Sequence, residues 1–563
     1  MFDGFLMSLG VASGKLVYSG FEKFTAKTAE TQEKLILDHL KRNAETEYGK
    51  KYGFASIKSV KDYQDKVPLS DYSDYADYVQ RMIAGEHDLI ISGRVNRYVE
   101  TSGSSGTPKI VPMSPKGVFN VQAMGFCGPE YCTWRFHKKR GTKMYLDKNL
   151  MTWIVMERSL PNGEKICDGA SIPISIMRPF MGAYTVSPAN VIFTDYPDKI
   201  DVNYLLLRFG LPYKNVSNIG AILVSSAVSM FQYLEKNWQV LCDDIEKGII
   251  NDSVELEPEY RRSLEKRLRP MPERAAELRA EFEKGFDNAV GKRIWPKLSW
   301  VYGMASSTLA PYAERIRYYV GPDVPLHNFG YGASEGYFAM PLEPDSSDAV
   351  MLPRSNFFEF IPQDEPAGER PLLMHELKVG QKYEVILTNL SGFYRYRLGD
   401  IVECTGYYNT APRVRFLYRS NVTVNITDEK TTQSMLDQAI AETSQASGLS
   451  FRGYSVYGNT DDKEIHYTLL VDAEKDLDED ELRKLGDIFD EKLCGINVEY
   501  NRYRVNHTLK PVDVHLLKPG AHNAYREMLR AQGRDTSQVK PVTIINTPER
   551  KEFFFSNIIR SSK

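Results

Sequence analysis

The chain has 563 residues, of which 42% are hydrophobic and 26% charged, and a formal net charge of −3 at pH 7. This composition is that of an ordinary globular protein, which excludes collagen-like and disordered classes, and the length predicts at least two domains. The small negative charge offers no general attraction to nucleic acid or anionic membranes, and no run of about 18 apolar residues marks a membrane span. Six cysteines without a CxxC pair favour a reduced, cytoplasmic protein.

The N-terminal part is predicted to be mostly helical. Residues 1–18 have apolar stretches without a basic leader, so we expect a helix packed on the body of the protein and not a signal peptide. A surface helix is expected over 31–43, whereas the polar, Gly-containing segment 47–54 is predicted to be a loop. A further helix ends at residues 84–86, and the run Asp88–Ser92 is predicted to be a short strand.

Strand and helix patterns then alternate along the chain. One helix is expected over 272–285, where Pro272 opens it and Ala275, Leu278 and Phe282 line one face. Apolar, β-rich runs predict strands at 191–194, 221–224 and 383–387. This alternation is typical of α/β proteins.

The C-terminal part differs from what precedes it. Residues 421–432 are polar, a helix pattern covers 434–444, and a strand at 464–471 precedes a helix at 478–492. We therefore predict a large N-terminal domain over 1–423 and a small α/β domain over 424–563.

A segment of small residues at 101–109, T-S-G-S-S-G-T-P-K, indicates phosphate binding. Glycines let the backbone approach a polyphosphate, hydroxyls donate hydrogen bonds, and Lys109 adds a mobile positive charge. A Ser/Gly surface turn is the alternative. The pattern is not a Walker A loop, but it closely resembles the phosphate loop of the adenylate-forming superfamily, which includes acyl-CoA synthetases, peptide-synthetase adenylation domains and firefly luciferase. The resemblance implies a catalytic role for Lys109 and ATP contacts from Ser102, Gly103, Ser104, Ser105 and Gly106.

A second segment resembles the next motif of that superfamily. Residues 328–338 read N-F-G-Y-G-A-S-E-G-Y-F. The resemblance places Tyr331 on adenine, Ser334 at the α-phosphate and Glu335 on Mg²⁺. An aromatic face suits a base, and Mg²⁺ prefers one or two carboxylates together with phosphate oxygens and water.

The third motif follows in superfamily order. Residues 391–402 read S-G-F-Y-R-Y-R-L-G-D-I-V, and the resemblance implies that Asp400 accepts hydrogen bonds from the ribose hydroxyls. The alternative is a strand that ends in a Gly-Asp turn with solvated arginines, a reading that suits Arg395 better than it suits Asp400. Three ordered motifs are much rarer by chance than any one of them.

The longer flanks of these motifs indicate one branch of the superfamily. Together with E-Y-G-K-K-Y-G-F at 47–54 and L-P-R-S-N-F-F-E-F-I-P at 352–362, they resemble the auxin-responsive (Gretchen Hagen) family of acyl acid–amido synthetases. The resemblance implies an N-terminal domain of mixed sheets with flanking helices and a β-barrel-like subdomain, followed by a mobile C-terminal domain. It also implies that ATP and Mg²⁺ convert a small carboxylic acid to an acyl-AMP, which an amino-acid amine then attacks.

The same resemblance assigns two further basic residues. Arg419 is expected near the ribose or the α-phosphate, and a C-terminal lysine is expected to reach the phosphates. Lys540, in Q-V-K-P, fits that position, and Lys430 is the second candidate. The aromatic-rich stretches 119–134 and 177–184 are candidates for the acyl pocket.

Two other functions stay open at this point. One is an acyl-CoA synthetase, against which the missing Gly-Lys near the C-terminus argues. The other is a nucleotide-binding protein with a degraded site, against which the retained Lys109, Glu335 and Asp400 argue.

Overall fold

A computed structural model gives the fold of the chain. It describes residues 4–562 apart from 96, 102–108, 194–200, 306–309, 364–369, 420–422, 425, 427, 428, 430, 461–464, 506–508 and 533–540. The described residues form two compact units. The first lies within Met1–Ser102, Pro108–Leu398 and Val402–Phe416, and the second within Gly399–Ile401 and Leu417–Lys563. The predicted α/β class is confirmed, while the division at residues 423 and 424 stays a prediction.

The described helices are α1 (Phe5–Thr25), α2 (Thr28–Arg42), α3 (Glu47–Lys51), α4 (Val60–Lys66), α5 (Ser73–Ile83), α6 (Pro115–Gln122), α7 (Gly128–Arg140), α8 (Ser171–Met177), α9 (Met181–Tyr184), α10 (Ala189–Ile192), α11 (Val202–Gly210), α12 (Val224–Lys247), α13 (Pro258–Glu265), α14 (Pro272–Phe282), α15 (Val290–Ile294), α16 (Ala310–Val320), α17 (Gln433–Ser447), α18 (Glu479–Ile496), α19 (Val498–Val505), α20 (Ala521–Ala531) and α21 (Pro548–Ser556).

The described strands are β1 (Arg97–Glu100), β2 (Ile110–Met113), β3 (Asn149–Met151), β4 (Arg158–Ser159), β5 (Lys165–Cys167), β6 (Asn218–Leu223), β7 (Trp300–Met304), β8 (Leu326–His327), β9 (Tyr331–Ala333), β10 (Gly336–Met340), β11 (Ala349–Met351), β12 (Phe357–Pro362), β13 (Leu372–Leu373), β14 (Lys382–Thr388), β15 (Tyr396–Tyr408), β16 (Ala411–Arg419), β17 (Thr423–Val424), β18 (Thr431–Thr432), β19 (Phe451–Asn459), β20 (His466–Ala473), β21 (Lys510–Leu517) and β22 (Ile558–Ser561).

The first unit contains a parallel sheet in the order β3-β6-β7-β8. All six residues of β6 are buried, as expected for a parallel strand with both faces covered. Helix α12 follows β6 directly and packs against α11, α14 and α16. Its buried stripe includes Val228, Phe231 and Leu234, so the sheet and these helices share one core.

Two further sheets carry the predicted motifs. A small sheet has the order β2-β1-β5-β4, and an eight-stranded sheet has the order β13-β12-β14-β15-β16-β11-β10-β9. The pairs β9–β10, β10–β11, β11–β16 and β12–β14 are antiparallel. The eight-stranded sheet supplies the β-rich part of the N-terminal domain.

The second unit is built around the sheet β19-β20-β21-β22. Strands β20 and β21 are parallel, and such a pair needs a crossover, which contains α18. Asp478 caps α18 through a capping box with Glu481, and α18 packs on β21 and α17. The predicted small α/β fold of the C-terminal part is therefore confirmed.

Several local predictions are confirmed. Helix α1 packs on α7, as expected. Helices α2 and α14 lie where helices were predicted, and α5 ends at Ile83 with Ala84 as its C-cap. Ala275, Leu278 and Phe282 form the buried face of α14. Strands β6 and β14 cover the two later apolar runs.

Three local predictions are wrong. The segment 47–54 holds helix α3, because the Thr46 hydroxyl caps Gly49 N–H. Asp88–Ser92 forms no strand: the carbonyls of Asp88 and Leu89 accept the first N–H groups of α3 instead of those of another strand. The described residues of 191–194 belong to helix α10 and the turn that ends it, because a turn beginning at Pro188 continues as a helix.

Candidate functional site

The hairpin of β1 and β2 carries the predicted phosphate loop at its tip. The pairing runs from Arg97 opposite Met113 to Glu100 opposite Ile110. Beyond it, Thr101 N–H donates to the Lys109 carbonyl and Lys109 N–H donates to Thr101 Oγ1, both at 2.9 Å. The two stems of the loop are therefore joined. The predicted ATP contacts Ser102, Gly103, Ser104, Ser105 and Gly106 lie outside the described residues.

The Lys109 side chain points to two tyrosines. Its ammonium donates to the Tyr396 hydroxyl at 3.5 Å and lies 5.4 Å from the centre of the Tyr72 ring. The Tyr72 hydroxyl exchanges hydrogen bonds with both backbone groups of Ile110, the residue after Lys109, at 2.9 and 3.0 Å. No motif included Tyr72, and no sequence signal distinguishes it from the other tyrosines of 67–78.

The second motif forms the hairpin of β9 and β10. Tyr331 is buried on β9, with its ring 5.1 Å from Phe338 and 5.9 Å from Phe416. Ser334 and Glu335 form the turn, where Ser334 is partly exposed and Glu335 is only 7% exposed. The Asn389 side-chain amide donates to the Glu335 carbonyl at 3.2 Å and so ties this turn to the segment before the third motif.

Electrostatics link the first two motifs. Burial raises the pKa of the Tyr72 phenol, its hydrogen bond to Ile110 lowers it, and the Glu335 carboxylate raises it. Tyr72 is in contact with Lys109, and the Glu335 carboxylate is close enough to act on the pKa of its phenol. The sequence predicted Lys109 and Glu335 as site residues but not Tyr72.

Gly330 fixes the approach of the chain to Tyr331. Its φ is 90°, and a Cβ at this position would lie 2.6 Å from both the Ala339 carbonyl and the Tyr337 hydroxyl. Only glycine combines this backbone conformation with so close an approach. The glycine of F-G-Y-G is therefore explained by the hairpin and needs no ligand.

Asp400 lies inside strand β15, so the reading of a strand that ends at a Gly-Asp turn is wrong. Gly399 has a φ of 76° within the strand. Asp400 is 2% exposed, and Arg419 Nε donates to its Oδ1 at 2.6 Å. The Arg419 side chain is 32% exposed. The third motif and Arg419 are therefore adjacent, as the predicted nucleotide contacts require.

Arg395 is buried, so the alternative reading with solvated arginines is wrong for this residue. Its guanidinium donates to both carboxylate oxygens of Glu359 at 3.0 Å, and to the carbonyls of Gln64 and Val67 at 2.7 and 2.6 Å. These bonds explain why a charged side chain can stay in the core. Arg397, by contrast, is half exposed to solvent and pairs with Glu384.

The residues present fit a magnesium ion whose ligands come partly from the protein and partly from the phosphates of a nucleotide. Among the residues that the structure describes, no cluster of three His, Cys, Asp or Glu side chains forms a complete metal cage. Mg²⁺ usually takes only one or two protein carboxylates when phosphates supply the remaining oxygens. The single buried carboxylate of Glu335 suits that arrangement.

The two stretches predicted to line the acyl pocket meet at one pair of side chains. The Tyr184 hydroxyl donates to Glu130 Oε1 at 3.5 Å. Burial raises the pKa of Glu130 to about 8, and the hydrogen bond from Tyr184 opposes that shift. Phe119 is 67% exposed and faces solvent. Glu130 lies in the apolar sequence G-P-E-Y-C. A glutamate among apolar residues is a sequence signal for a buried carboxyl group, and the prediction did not use it. Whether the stretches bind an acid stays a prediction.

Lys540 and Lys430, the two candidates for the C-terminal lysine, both lie outside the described residues. None of the described helices is long and apolar enough to cross a membrane.

Three family models match the chain in succession. They are the GH3 family N-terminal domain at residues 17–326, the GH3 family central domain at 349–419 and the GH3 family C-terminal domain at 434–549. The second model ends on Arg419, and the predicted site residues before it fall within or between the first two.

Similar proteins span nearly the whole chain. A jasmonoyl–L-amino acid synthetase, GH3.5 of Oryza sativa subsp. japonica, is 26% identical over 94% of both chains. The structure of the GH3.15 acyl acid amido synthetase superposes with a TM-score of 0.83 at 23% identity, covering 96% of both chains. A 2-hydroxyisobutyryl-CoA ligase in complex with 2-HIB-AMP superposes with a TM-score of 0.51 at 13% identity, covering 92% of this chain and 90% of its own.

Proposed function

Because the chain belongs to the GH3 family, we propose that it is an ATP-dependent ligase of the acyl acid–amido synthetase type. The carboxylate of a small acid attacks the α-phosphate of ATP, which gives an acyl-AMP and pyrophosphate. The amine of an amino acid then attacks the acyl carbon, which gives an amide and AMP. The match of all three family domains carries this proposal, and a named amido synthetase that is similar over 94% of both chains supports it.

The first step brings two anions together, so catalysis consists mainly of positioning and charge neutralisation. Lys109 supplies positive charge to the phosphates, Tyr331 holds adenine, and Ser334 contacts the α-phosphate. Glu335 would hold Mg²⁺, which would supply neutralisation of the phosphate charge. Asp400 accepts hydrogen bonds from the ribose beside Arg419, whose Nε donates to its Oδ1.

Loop N–H groups at 102–106 and a lysine of the C-terminal domain, Lys540 or Lys430, complete the proposed machinery. A cytoplasmic location is part of the proposal, and the six free thiols support it. The acyl acid and the amino acid are identified only by chemical class.

A screen of pyrophosphate release tests the proposal. Purified protein with ATP and Mg²⁺ is given a panel of small carboxylic acids, first alone and then with each of the twenty amino acids or with coenzyme A. We expect acid-dependent pyrophosphate release and AMP release that an amino acid accelerates. Acceleration by coenzyme A would instead support a thioester-forming synthetase, the second candidate, which the fold similarity to the CoA ligase keeps open. No acid-dependent release with any acid would contradict both.

A further inference from the structure

Lys109 is held by uncharged partners. Its ammonium lies over the Tyr72 ring and donates to the Tyr396 hydroxyl, and within the described part of the chain it forms no salt bridge. The nearby carboxylate of Asp71 already accepts the Ser73 N–H and hydroxyl at 2.7 and 2.6 Å. A ring face and a hydroxyl orient an ammonium without cancelling its charge. Neither tyrosine neutralises the ammonium, so its positive charge can act on an incoming anion.

Both tyrosines are fixed by the backbone around them. The Tyr72 hydroxyl bonds to both backbone groups of Ile110, so the ring is tied to the stem of the phosphate loop itself. Tyr396 opens β15 and pairs with Ser70, where Ser70 N–H donates to the Arg395 carbonyl at 3.0 Å and Arg397 N–H donates to the Ser70 carbonyl at 2.8 Å.

A second set of contacts joins the same two segments. The Tyr75 hydroxyl accepts from Tyr394 N–H at 2.8 Å, and the Ser70 hydroxyl donates to the Tyr394 carbonyl at 2.7 Å. The buried Arg395 side chain holds the carbonyls of Gln64 and Val67 just upstream. The sequence Y-R-Y-R, which precedes Asp400, therefore also holds the segment 64–75 in place.

We propose that Tyr72 and Tyr396, here termed the tyrosine cradle, are positioning residues that hold the Lys109 ammonium in the direction of the ATP phosphates during adenylation. The proposal rests on the proposed function, in which Lys109 meets the phosphates. It assigns a role to Tyr72, a residue outside the three motifs, and to Tyr396, the tyrosine of Y-R-L-G-D. A lysine that is already oriented before ATP arrives needs less ordering when ATP binds.

Three substitutions separate the parts of the cradle. Tyr72→Leu removes the ring and the hydroxyl, Tyr72→Phe keeps the ring and loses the bonds to Ile110, and Tyr396→Phe loses the acceptor for Lys109. In acid-dependent ATP–pyrophosphate exchange we expect Tyr72→Leu to lower kcat/KM for ATP by about 3- to 30-fold, the range of one cation–π contact. Tyr72→Phe and Tyr396→Phe should lose less, and KM for the acid should stay unchanged.

A double-mutant cycle with Lys109→Met distinguishes positioning from folding. If the cradle acts through the lysine, Tyr72→Leu costs little further activity once Lys109→Met is present. Tyr52→Leu is the matched control, because the Tyr52 ring lies 5.2 Å from the Lys51 ammonium in the segment 47–54, outside the three motifs assigned to ATP. It should keep wild-type exchange.

If Tyr72→Leu lowers the exchange activity equally with and without Lys109→Met, the cradle proposal is overturned. The proposed function is unaffected by that result as long as the wild type shows acid-dependent exchange. If the wild type shows no acid-dependent exchange, the proposed function fails, and ATP binding by calorimetry still tests the cradle. The same cycle in Kd should then be non-additive, and additive losses would overturn the proposal.

Discussion

At the scale of single residues, the proposed contact of Asp400 with the ribose can be tested by substitution. Removing the negative charge with Asp400→Asn should weaken ATP binding by about 10- to 100-fold, because one charge-assisted hydrogen bond is worth about 1.5–3 kcal/mol. Isothermal calorimetry measures this directly. Glu384→Gln is the matched control, since Glu384 is also buried and paired with an arginine of β15. Equal ATP affinity in Asp400→Asn and wild type would refute the ribose role.

Glu335 is the residue on which the metal proposal depends. The variant Glu335→Gln keeps the shape of the side chain and loses its charge, so it should weaken Mg²⁺ binding in the nucleotide complex more than it weakens folding. We expect pyrophosphate release to fall and to recover partly as Mg²⁺ is raised. A loss that does not respond to Mg²⁺ would indicate that the buried carboxylate supports only the β9–β10 turn.

Glu130 predicts a pH dependence of stability. Its pKa is about 8 in the folded protein, mainly because of burial, against an ordinary value of 4.5. As the pH rises through this window, the unfolded chain loses the proton first, so the free energy of unfolding falls by about 1.4 kcal/mol per pH unit. This stabilising contribution is complete below about pH 4.5 and is lost by about pH 8.

Glu130→Gln tests that dependence. Urea unfolding at pH 5, 6.5 and 8 should show a smaller fall in stability than wild type, so the variant gains relative stability at pH 8. Glu33→Gln changes an exposed position of α2 and should leave the wild-type pH profile in place. A Glu130→Gln profile that parallels the wild type would show that the carboxyl is not titrating in this window.

At the scale of elements, the β9–β10 hairpin depends on Gly330. Gly330→Ala places a methyl group against the Ala339 carbonyl and the Tyr337 hydroxyl in a backbone conformation with φ of 90°. Gly380→Ala is the matched control, because Gly380 has a φ of 84° in the same unit but open space around it. Both lose about 1–2 kcal/mol to the backbone, and Gly330→Ala should lose about 1–3 kcal/mol more to overpacking.

Denaturant unfolding of the two alanine variants measures this difference. Equal midpoints would show that the hairpin relaxes away from the new methyl group. A larger loss in Gly330→Ala, together with weaker ATP binding, would link the glycine to the placement of Tyr331.

At the scale of the whole molecule, the proposed reaction uses residues from both parts of the chain. We expect Lys540→Ala to slow formation of the acyl-adenylate by about 10²–10³-fold, because a positive charge that meets developing charge in the transition state is worth about that much. ATP affinity should change little. Supplied acyl-adenylate should bypass the defect, so amide formation from it stays near wild type.

Lys430→Ala, measured in parallel, decides between the two candidate lysines. Normal adenylation by Lys540→Ala together with slow adenylation by Lys430→Ala would assign the role to Lys430. Normal adenylation by both would remove the C-terminal lysine from the mechanism.

The sequence by itself determined the fold class and predicted the main site residues. The three ordered motifs gave that prediction through their resemblance to a known superfamily. The roles of Lys109, Tyr331, Glu335 and Asp400 stay predictions. Long periodic helices such as α14 were equally readable, because their burial pattern is local.

Tertiary structure alone decided features that depend on residues far apart in sequence. Asp88–Ser92 gives carbonyls to α3 and not to a strand. Arg395 is buried beside Glu359, with which it pairs. Tyr72 contacts Lys109, a residue 37 positions along the chain. In each case the backbone or the charged group finds its partner across the fold, and a local pattern contains no information about a partner tens or hundreds of residues away.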